Sequence, residues 1–483
     1  MANNDAELNH IAPMGEEAAT APIYETRDKA RSAAYRCVLT VTRDDAYANL
    51  VMPGILKAAG LSGRDAAFAT ELAYGTLRMQ GLYDEVIAVA ARRSPSSLDI
   101  DVRVALWLGA HQVLGMRVPP HAAVSETVAQ VKVQSNSGAA KFTNAVMRRM
   151  TERSPDAWLA LVAPGSSREA IALRHSHPQW VVRELADSLT ADGRATELEQ
   201  LLAVNNTPAL VTLVARPGIA DPFEVVDSIP GAKLTTLSPY GISLPGGDPG
   251  AVPGVADGTV AVQDEGSQVV ATALVAAQDV EPGERWLDMC AGPGGKTALL
   301  GALAQEYDAT VDALELHPHR ADLVRRSTRA LPKGIVKVSV GDARTWGTPG
   351  TYDRVLLDAP CTGMGSLRRR PESRWRRSPD DLADLVVLQK ELLASAERLV
   401  RPGGIVAYVT CSPVLAETRE VVEAVLTATA SDPEVGLMQM DARDAVAAVT
   451  AVDADQWGTG PHVQMWTHAH GTDAMFLALL RRH

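Results

Sequence analysis

Two cysteines each follow an apolar run that reads as a buried strand. Cys361 closes Val355-Leu356-Leu357-Asp358-Ala359-Pro360-Cys361, and Cys411 closes Ile405-Val406-Ala407-Tyr408-Val409-Thr410-Cys411. A thiolate is a strong nucleophile, and open α/β sheets gather their chemistry in the crevice outside the carboxyl ends of their strands. Two thiols at two such ends are expected to look into one crevice. A third run, Leu287-Asp288-Met289-Cys290-Ala291-Gly292-Pro293-Gly294-Gly295-Lys296-Thr297, places small residues between a strand and a helix, where a nucleotide-like cofactor can approach the backbone.

The turn matches neither of the common phosphate fingerprints. G-x-x-x-x-G-K-[ST] requires glycine five residues before Gly295, where Cys290 stands. G-x-G-x-x-G fails because Gly292-Pro293-Gly294 is followed by Gly295-Lys296-Thr297. What remains is a tight turn, Cys290 to Lys296, with the amides of the next helix facing a ligand. Acids follow at successive strand ends. Glu315 is placed to bind ribose hydroxyls, Asp342 to sit beside an adenine amino group, and Asp358 to close the strand before Cys361. Any one acid alone would read more simply as a helix cap or loop carboxylate.

The elements that must position these residues occupy the second half of a 483-residue chain, long enough for two or three domains. Residues 1–27 lack periodicity and read as a disordered tail. Residues 28–155 read as an all-α domain, with Leu106, Ala110, Val113 and Leu114 on one helical face and a helix start at Ser62. Residues 165–255 read as a small α+β module. From 260 to 483 strands alternate with helices, the pattern of a parallel sheet covered on both faces. The strands predicted are Arg285–Cys290, Thr310–Glu315, Ile335–Val340, Asp353–Asp358 and Ile405–Thr410, with a closing hairpin of Val463–His468 and Met475–Leu480.

Composition narrows the class further. Four cysteines in so long a chain suit a reducing cytoplasm and argue against a disulfide framework. No apolar run reaches the length of about 18 residues that a membrane span needs. A net charge of −12 opposes indiscriminate nucleic-acid binding, so any such site must be local. One basic run qualifies: Arg368, Arg369, Arg370, Arg374, Arg376 and Arg377, with Trp375 among them, begins at the lip of the expected crevice. The alternative is a solvated basic loop. Zinc held by Cys290, Cys361 and Cys411 finds no C-x-x-C or nearby histidine to support it.

Several of these stretches resemble the Sun/Fmu (RsmB/Nop-type) RNA cytosine-5 methyltransferases: Asp288–Thr297, Asp358–Gly365, Thr410-Cys411-Ser412, Arg370–Trp375 and His470–Phe476. Glu71–Arg78 and Arg117–Val124 look like the NusB-like RNA-binding domain of the bacterial members. Gly292 stands where the family often has alanine, and Met364 where threonine is frequent. The resemblance implies a NusB-like helical front, a small middle module and a Rossmann-like domain dependent on S-adenosylmethionine. It further implies Cys411 as the nucleophile that adds to cytosine C6, Cys361 as the thiol assisting release, Asp358 as partner of the base's amidine edge, and Lys296 near cofactor and base. Small-subunit ribosomal RNA is the implied partner, with no obligate protein partner inferred.

Two other readings compete. A DNA cytosine-5 methyltransferase would use the Pro-Cys thiol as nucleophile and would not need Cys411. A non-catalytic RNA-binding assembly factor would need neither the thiol pair nor the cofactor turn.

Overall fold

The computed structural model describes residues 26–429 and 436–483. The expected tail lies outside the described residues except for its last two. Of these, Thr26 already hydrogen-bonds Ser32 through its amide at 3.2 Å and its hydroxyl at 2.9 Å. Two compact units emerge: residues up to Val182 with Leu367–Arg376, and Arg183–Ser366 with Arg377–His483. They divide elsewhere than at the expected boundaries 155, 165 and 255.

The first unit is helical: α1 (Lys29–Arg43), α2 (Ala48–Ala59), α3 (Gly63–Ala91), α4 (Ile100–Leu114), α5 (Pro120–Gln134), α6 (Ser137–Met150), α7 (Pro155–Val162) and α8 (Arg168–Arg174). Side chains of Asp28, Asn136, Ser154 and Ser167 accept backbone amides at the starts of α1, α6, α7 and α8, satisfying donors that have no partner within the helix. Ser62 does precede α3, but its side chain makes no capping bond. Leu106 and Ala110 of α4 are fully buried, while Val113 and Leu114 pack at the margin of the same core.

The basic run up to Arg376 belongs to this unit rather than to a solvated loop. Arg374 is fully buried, and its guanidinium donates to the Ser176 carbonyl at 3.1 Å. Burial, together with the neighbouring Arg78 and against the pull of Glu372, lowers its pKa to about 9. Arg376 donates to the carbonyls of Val41 (2.7 Å) and Ala46, and Arg370 and Arg376 both lie over the Tyr47 ring. Glu372 accepts the Ala48 amide at 3.1 Å. The expectation of six phosphate-gripping arginines is corrected accordingly: Arg374 has no surface to offer a phosphate, and Arg370 and Arg376 are engaged in packing. Arg368, Arg369 and Arg377 are half-buried.

In the second unit a small antiparallel sheet runs in the order β2-β3-β1-β4, from β1 (Thr212–Ala215), β2 (Lys233–Leu234), β3 (Gly241–Ser243) and β4 (Val260–Val262). Two helices, α9 (Gln179–Ala191) and α10 (Leu198–Val204), precede it, and α11 (Pro222–Asp227) follows β1. β4 lies beyond the expected end of the middle module, because β1 needs it as a second edge partner.

The larger sheet runs β10-β12-β9-β8-β5-β6-β7, with β11 paired to β12. Its strands are β5 (Arg285–Asp288), β6 (Thr310–Glu315), β7 (Val336–Val340), β8 (Tyr352–Asp358), β9 (Val400–Thr410), β10 (Leu437–Met440), β11 (Val463–Gln464) and β12 (Phe476–Arg482). Strands β5 to β9 are mutually parallel, β12 runs antiparallel to β9, and β10 pairs antiparallel with β12. Among the described residues the helices that cover it are α12 (Glu265–Ala276), α13 (Gly295–Glu306), α14 (Pro318–Ser327), α15 (Pro379–Leu399), α16 (Arg419–Thr429) and α17 (Ala442–Val449). Alternation sorts the strand residues between faces. Leu356, Ala407 and Leu477 pack with α12, α13 and α17, whereas Val355, Leu357, Val406 and Tyr408 pack with α15 and α16. The expected hairpin exists as β11–β12, but Thr467–His470 is a helical turn, and β12 pairs at greater length with β9.

The aromatic in the basic run gives a test of its packing. A Cβ on Gly81, inside α3, would lie 2.3 Å from Trp375 Cη2. Alanine gains up to about 1 kcal/mol over glycine in a helix interior, yet an overlap of that depth costs more, typically ~1–3 kcal/mol. Gly81→Ala is therefore expected to lower the thermal midpoint, and adding Trp375→Ala to recover part of the loss; a Gly81→Ala protein more stable than the parent contradicts this packing.

Candidate active site

From β5 the chain crosses to β6 on one side, and β8 is added on the other, so the sheet reverses direction at β5. The crevice outside the carboxyl ends of β5 and β8 is where such folds hold ligands. Register brings the acids there. Asp288 pairs with Leu356 and with Ala313, and Asp358 with Val409. Glu315, Asp288, Asp358 and Cys411 consequently leave the sheet at one edge.

The glycine turn is built around Glu315. This carboxylate is 4 % exposed and accepts the Gly292 amide at 3.0 Å and the His317 amide at 3.0 Å. Arg320 closes the loop by donating to the Gly292 carbonyl at 2.8 Å. A Cβ at Gly292 would fall 2.3 Å from Glu315 Oε2, so the glycine here leaves room for the carboxylate to lie on the turn. Gly294 has φ +107 and would set a Cβ 2.8 Å from the Val324 backbone, a position only glycine fills without strain. Ala291 donates to the Leu314 carbonyl at 2.9 Å, Ser327 hydrogen-bonds the Pro293 carbonyl at 3.0 Å, and α13 starts at Gly295. Asp342 is held by Arg344, whose hydrogen bonds keep its carboxyl below the usual range, and Arg344 also reaches Glu391 at 3.2 Å.

The structure gathers the other expected residues beside this turn. Cys361 Sγ and Cys411 Sγ are 3.4 Å apart, neither in a disulfide and both partly exposed. The hydrogen bond with Cys411, reinforced by burial, holds the Cys361 thiol well above its usual pKa. Lys296 Nζ lies 2.7 Å from Asp358 Oδ2. Burial opposes its charge, but Asp358 outweighs that, with lesser help from Cys411 and Asp288, and Lys296 stays firmly protonated. Cys290 packs against the core with its thiol pushed up by burial, and Cys37 is buried in the helical unit.

Close backbone packing joins the two cysteine loops. Gly365 donates its amide to the Cys411 carbonyl at 2.9 Å and accepts the Ala474 amide at 2.9 Å. A Cβ there would sit 2.2 Å from the Ala474 oxygen, which explains the glycine. The terminal motif is tied down in turn. Thr472 donates to Asp264 at 2.6 Å and accepts the Gly266 amide at 2.7 Å at the start of α12.

Three participants escaped sequence reasoning. Asp264 could have been read as a helix cap before an apolar run. Asp288 could have been read as one more strand-end acid. Glu417, fully buried behind the thiols, left no local signal.

Sheet order, glycine turn and paired thiols define an α/β enzyme of the cofactor-dependent methyltransferase class. Comparison with known proteins narrows this. Residues 275–481 match the family model "16S rRNA methyltransferase RsmB/F", and residues 28–152 match "NusB family". The chain is 48% identical over 458 residues to "Putative methyltransferase Rv1407" of Mycobacterium tuberculosis, covering 94% of this chain and 97% of that one. It is 32% identical over 421 residues to ribosomal RNA small subunit methyltransferase B of Pseudomonas putida, covering 84% and 91%. The crystal structure of PH0851 shares the fold, with TM-score 0.76, 23% identity, and coverage of 95% and 99%. The chain belongs to the RsmB/F methyltransferase family, with a NusB-like helical domain in front.

Asp288 supplies a pH test. It is 1 % exposed and accepts the Thr297 hydroxyl at 2.7 Å, while its Oδ1 has no side-chain donor. Burial, aided by the charge of Asp358, raises its pKa from 3.8 to about 7. Between those values the folded state binds more protons than the unfolded chain, so this group's contribution makes stability fall as pH rises from about 4 to about 7 and level off above. Asp288→Asn is expected to flatten that slope in pH-dependent thermal unfolding of the free protein; an unchanged slope would mean the carboxyl is ionised throughout.

Proposed function

We propose that this protein is an S-adenosylmethionine-dependent RNA methyltransferase that forms 5-methylcytosine in small-subunit ribosomal RNA of the cytoplasm, through a covalent bond between Cys411 and cytosine C6. The 3.4 Å approach of two thiols beside the Lys296–Asp358 pair carries the reading. A dry or purely RNA-binding protein requires neither. Family membership supports the substrate class, since the matched family is described by 16S ribosomal RNA and the P. putida relative by the small subunit.

The cofactor's groups find suitable partners. The turn Ala291–Gly295 leaves backbone space beside Glu315 for ribose hydroxyls. Asp342 keeps a carboxylate for an adenine amino group, and buried Asp288 has an oxygen free of side-chain donors for a cationic amino group. When bound, S-adenosylmethionine supplies an electrophilic methyl group.

The protein's residues supply the rest. Cytosine C5 is a weak nucleophile until the Cys411 thiolate adds to C6, forming the S–C6 bond and pushing the 5,6 electron pair onto C5. Lys296 offsets negative charge growing on the ring, and Asp358 accepts from the amidine edge of the extruded base. The C5 electron pair forms the C5–methyl bond as the donor's S–CH3 bond breaks and its electron pair stays on the departing thioether sulfur, after which a base takes the C5 proton. The 5,6 double bond returns as the S–C6 bond breaks and the electron pair goes back to Cys411. Cys361, kept protonated next to the departing sulfur, is assigned to release.

Covalent capture on 5-fluorocytosine-substituted 16S RNA separates the roles. Cys411→Ala is expected to abolish capture and to lower turnover by at least about 10³-fold, whereas Cys361→Ala captures RNA but releases it slowly. A Cys411→Ala enzyme with full turnover, together with loss of capture in Cys361→Ala, would reverse the assignment in favour of the arrangement expected of a DNA enzyme.

A further inference from the structure

Glu417 lies on a 3-10 turn just before α16 and is fully buried, although no step above uses it. Its Oε1 accepts the Thr362 amide at 2.7 Å and Gln389 Nε2 at 3.1 Å, and its Oε2 accepts the Thr362 hydroxyl at 2.5 Å. That hydroxyl stands 3.3 Å from Ser412 Oγ. Thr362 directly follows Cys361, and Ser412 directly follows Cys411. Gln389 also donates to the carbonyl of Pro360, the residue before Cys361, at 2.8 Å. The Tyr408 hydroxyl binds the Glu417 carbonyl at 2.8 Å, fixing the turn to β9.

We infer that Glu417 is a positioning residue for both thiols, setting Cys361 against Cys411 through Thr362 and Ser412. A buried carboxylate costs free energy unless donors surround it; here donors arrive from the two cysteine loops and from α15, so the group holds them at fixed separation. Its hold on the Cys361 loop is direct, through the backbone amide and the hydroxyl of Thr362. Its hold on the Cys411 loop is a single one, through the Ser412 side chain, which bonds the carboxyl and stands 3.3 Å from the Thr362 hydroxyl. Removing Glu417 should therefore harm the step assigned to Cys361 more than the attack assigned to Cys411. Glutamine should substitute well, because its oxygen can accept from Thr362 and Gln389 while its amide donates to the Thr362 hydroxyl oxygen.

This inference rests on the proposed two-thiol chemistry, and the test separates the two. If the wild-type protein captures no 5-fluorocytosine RNA, the chemistry itself is refuted. Given wild-type capture, Glu417→Ala is expected to capture 5-fluorocytosine RNA within about threefold of the wild-type rate while losing about tenfold or more in turnover, with enzyme accumulating as conjugate on unmodified RNA. Glu417→Gln is expected to stay within about threefold of wild type in both. Thr362→Val, which removes only the bridging hydroxyl, serves if the alanine variant does not fold, and is expected to show the same imbalance. Equal loss of capture and turnover, no loss at all, or a glutamine variant as impaired as the alanine one overturns the role.

Discussion

The parallel pairing of β8 with β9 is the constraint on which the site depends. With Asp358 opposite Val409, the chain reaches Cys361 three residues later on one strand and Cys411 two residues later on the other. A slip of one residue would turn alternate side chains to the opposite face and separate the sulfurs. The register is held by burial on both faces. Leu356 and Ala407 fill one core, Val355, Leu357, Val406 and Tyr408 the other, and none can be exposed without loss of packing. The loops beyond the strands are then fixed by short polar bonds and by Gly365, where two backbones approach too closely for a side chain.

The electrostatics of the crevice follow from the same edge. Four strand-end groups of acidic or thiol character converge, and a single buried ammonium, Lys296, stands among them. It is stabilised by its ion pair with Asp358 despite the desolvation that opposes it. Lys296 thus sets a positive charge beside the thiols, and the hydrogen bond with Cys411, reinforced by burial, keeps the Cys361 thiol protonated. Burial raises the pKa of the Asp288 carboxyl to about 7, toward neutrality. A cationic group brought beside that carboxyl would favour its charged form.

Much of this was legible from residue order. Parallel strands buried on both faces read as unbroken apolar runs, and β6 and the end of β8 fall where those runs indicated. The acids and cysteines at the exits stood out because polar residues there have nowhere else to go. What stayed hidden depends on partners far away in the chain. The basic run read as a local nucleic-acid patch, yet Arg374 is satisfied by Ser176 and Arg376 by Val41 and Ala46, contacts that no local spacing encodes. Glu417 was invisible for the same reason. β10 is a short edge strand whose pairing with β12 supplies what its own sequence lacks. Thr467–His470 carried a strand-like flank but folds as a turn, with the His470 ring nitrogen accepting the Trp466 amide at 2.8 Å.

The approach of the two sulfurs can be measured without substrate. Mild oxidation of the native protein followed by proteolysis and mass spectrometry reports which thiols lie close enough to pair, since a disulfide forms only when the side chains already converge. The account predicts one dominant cross-link, Cys361 to Cys411, with methyl transfer lost on oxidation and restored by a dithiol reductant. Intact protein that yields no such link, or links either cysteine elsewhere while methyl transfer persists, would contradict it.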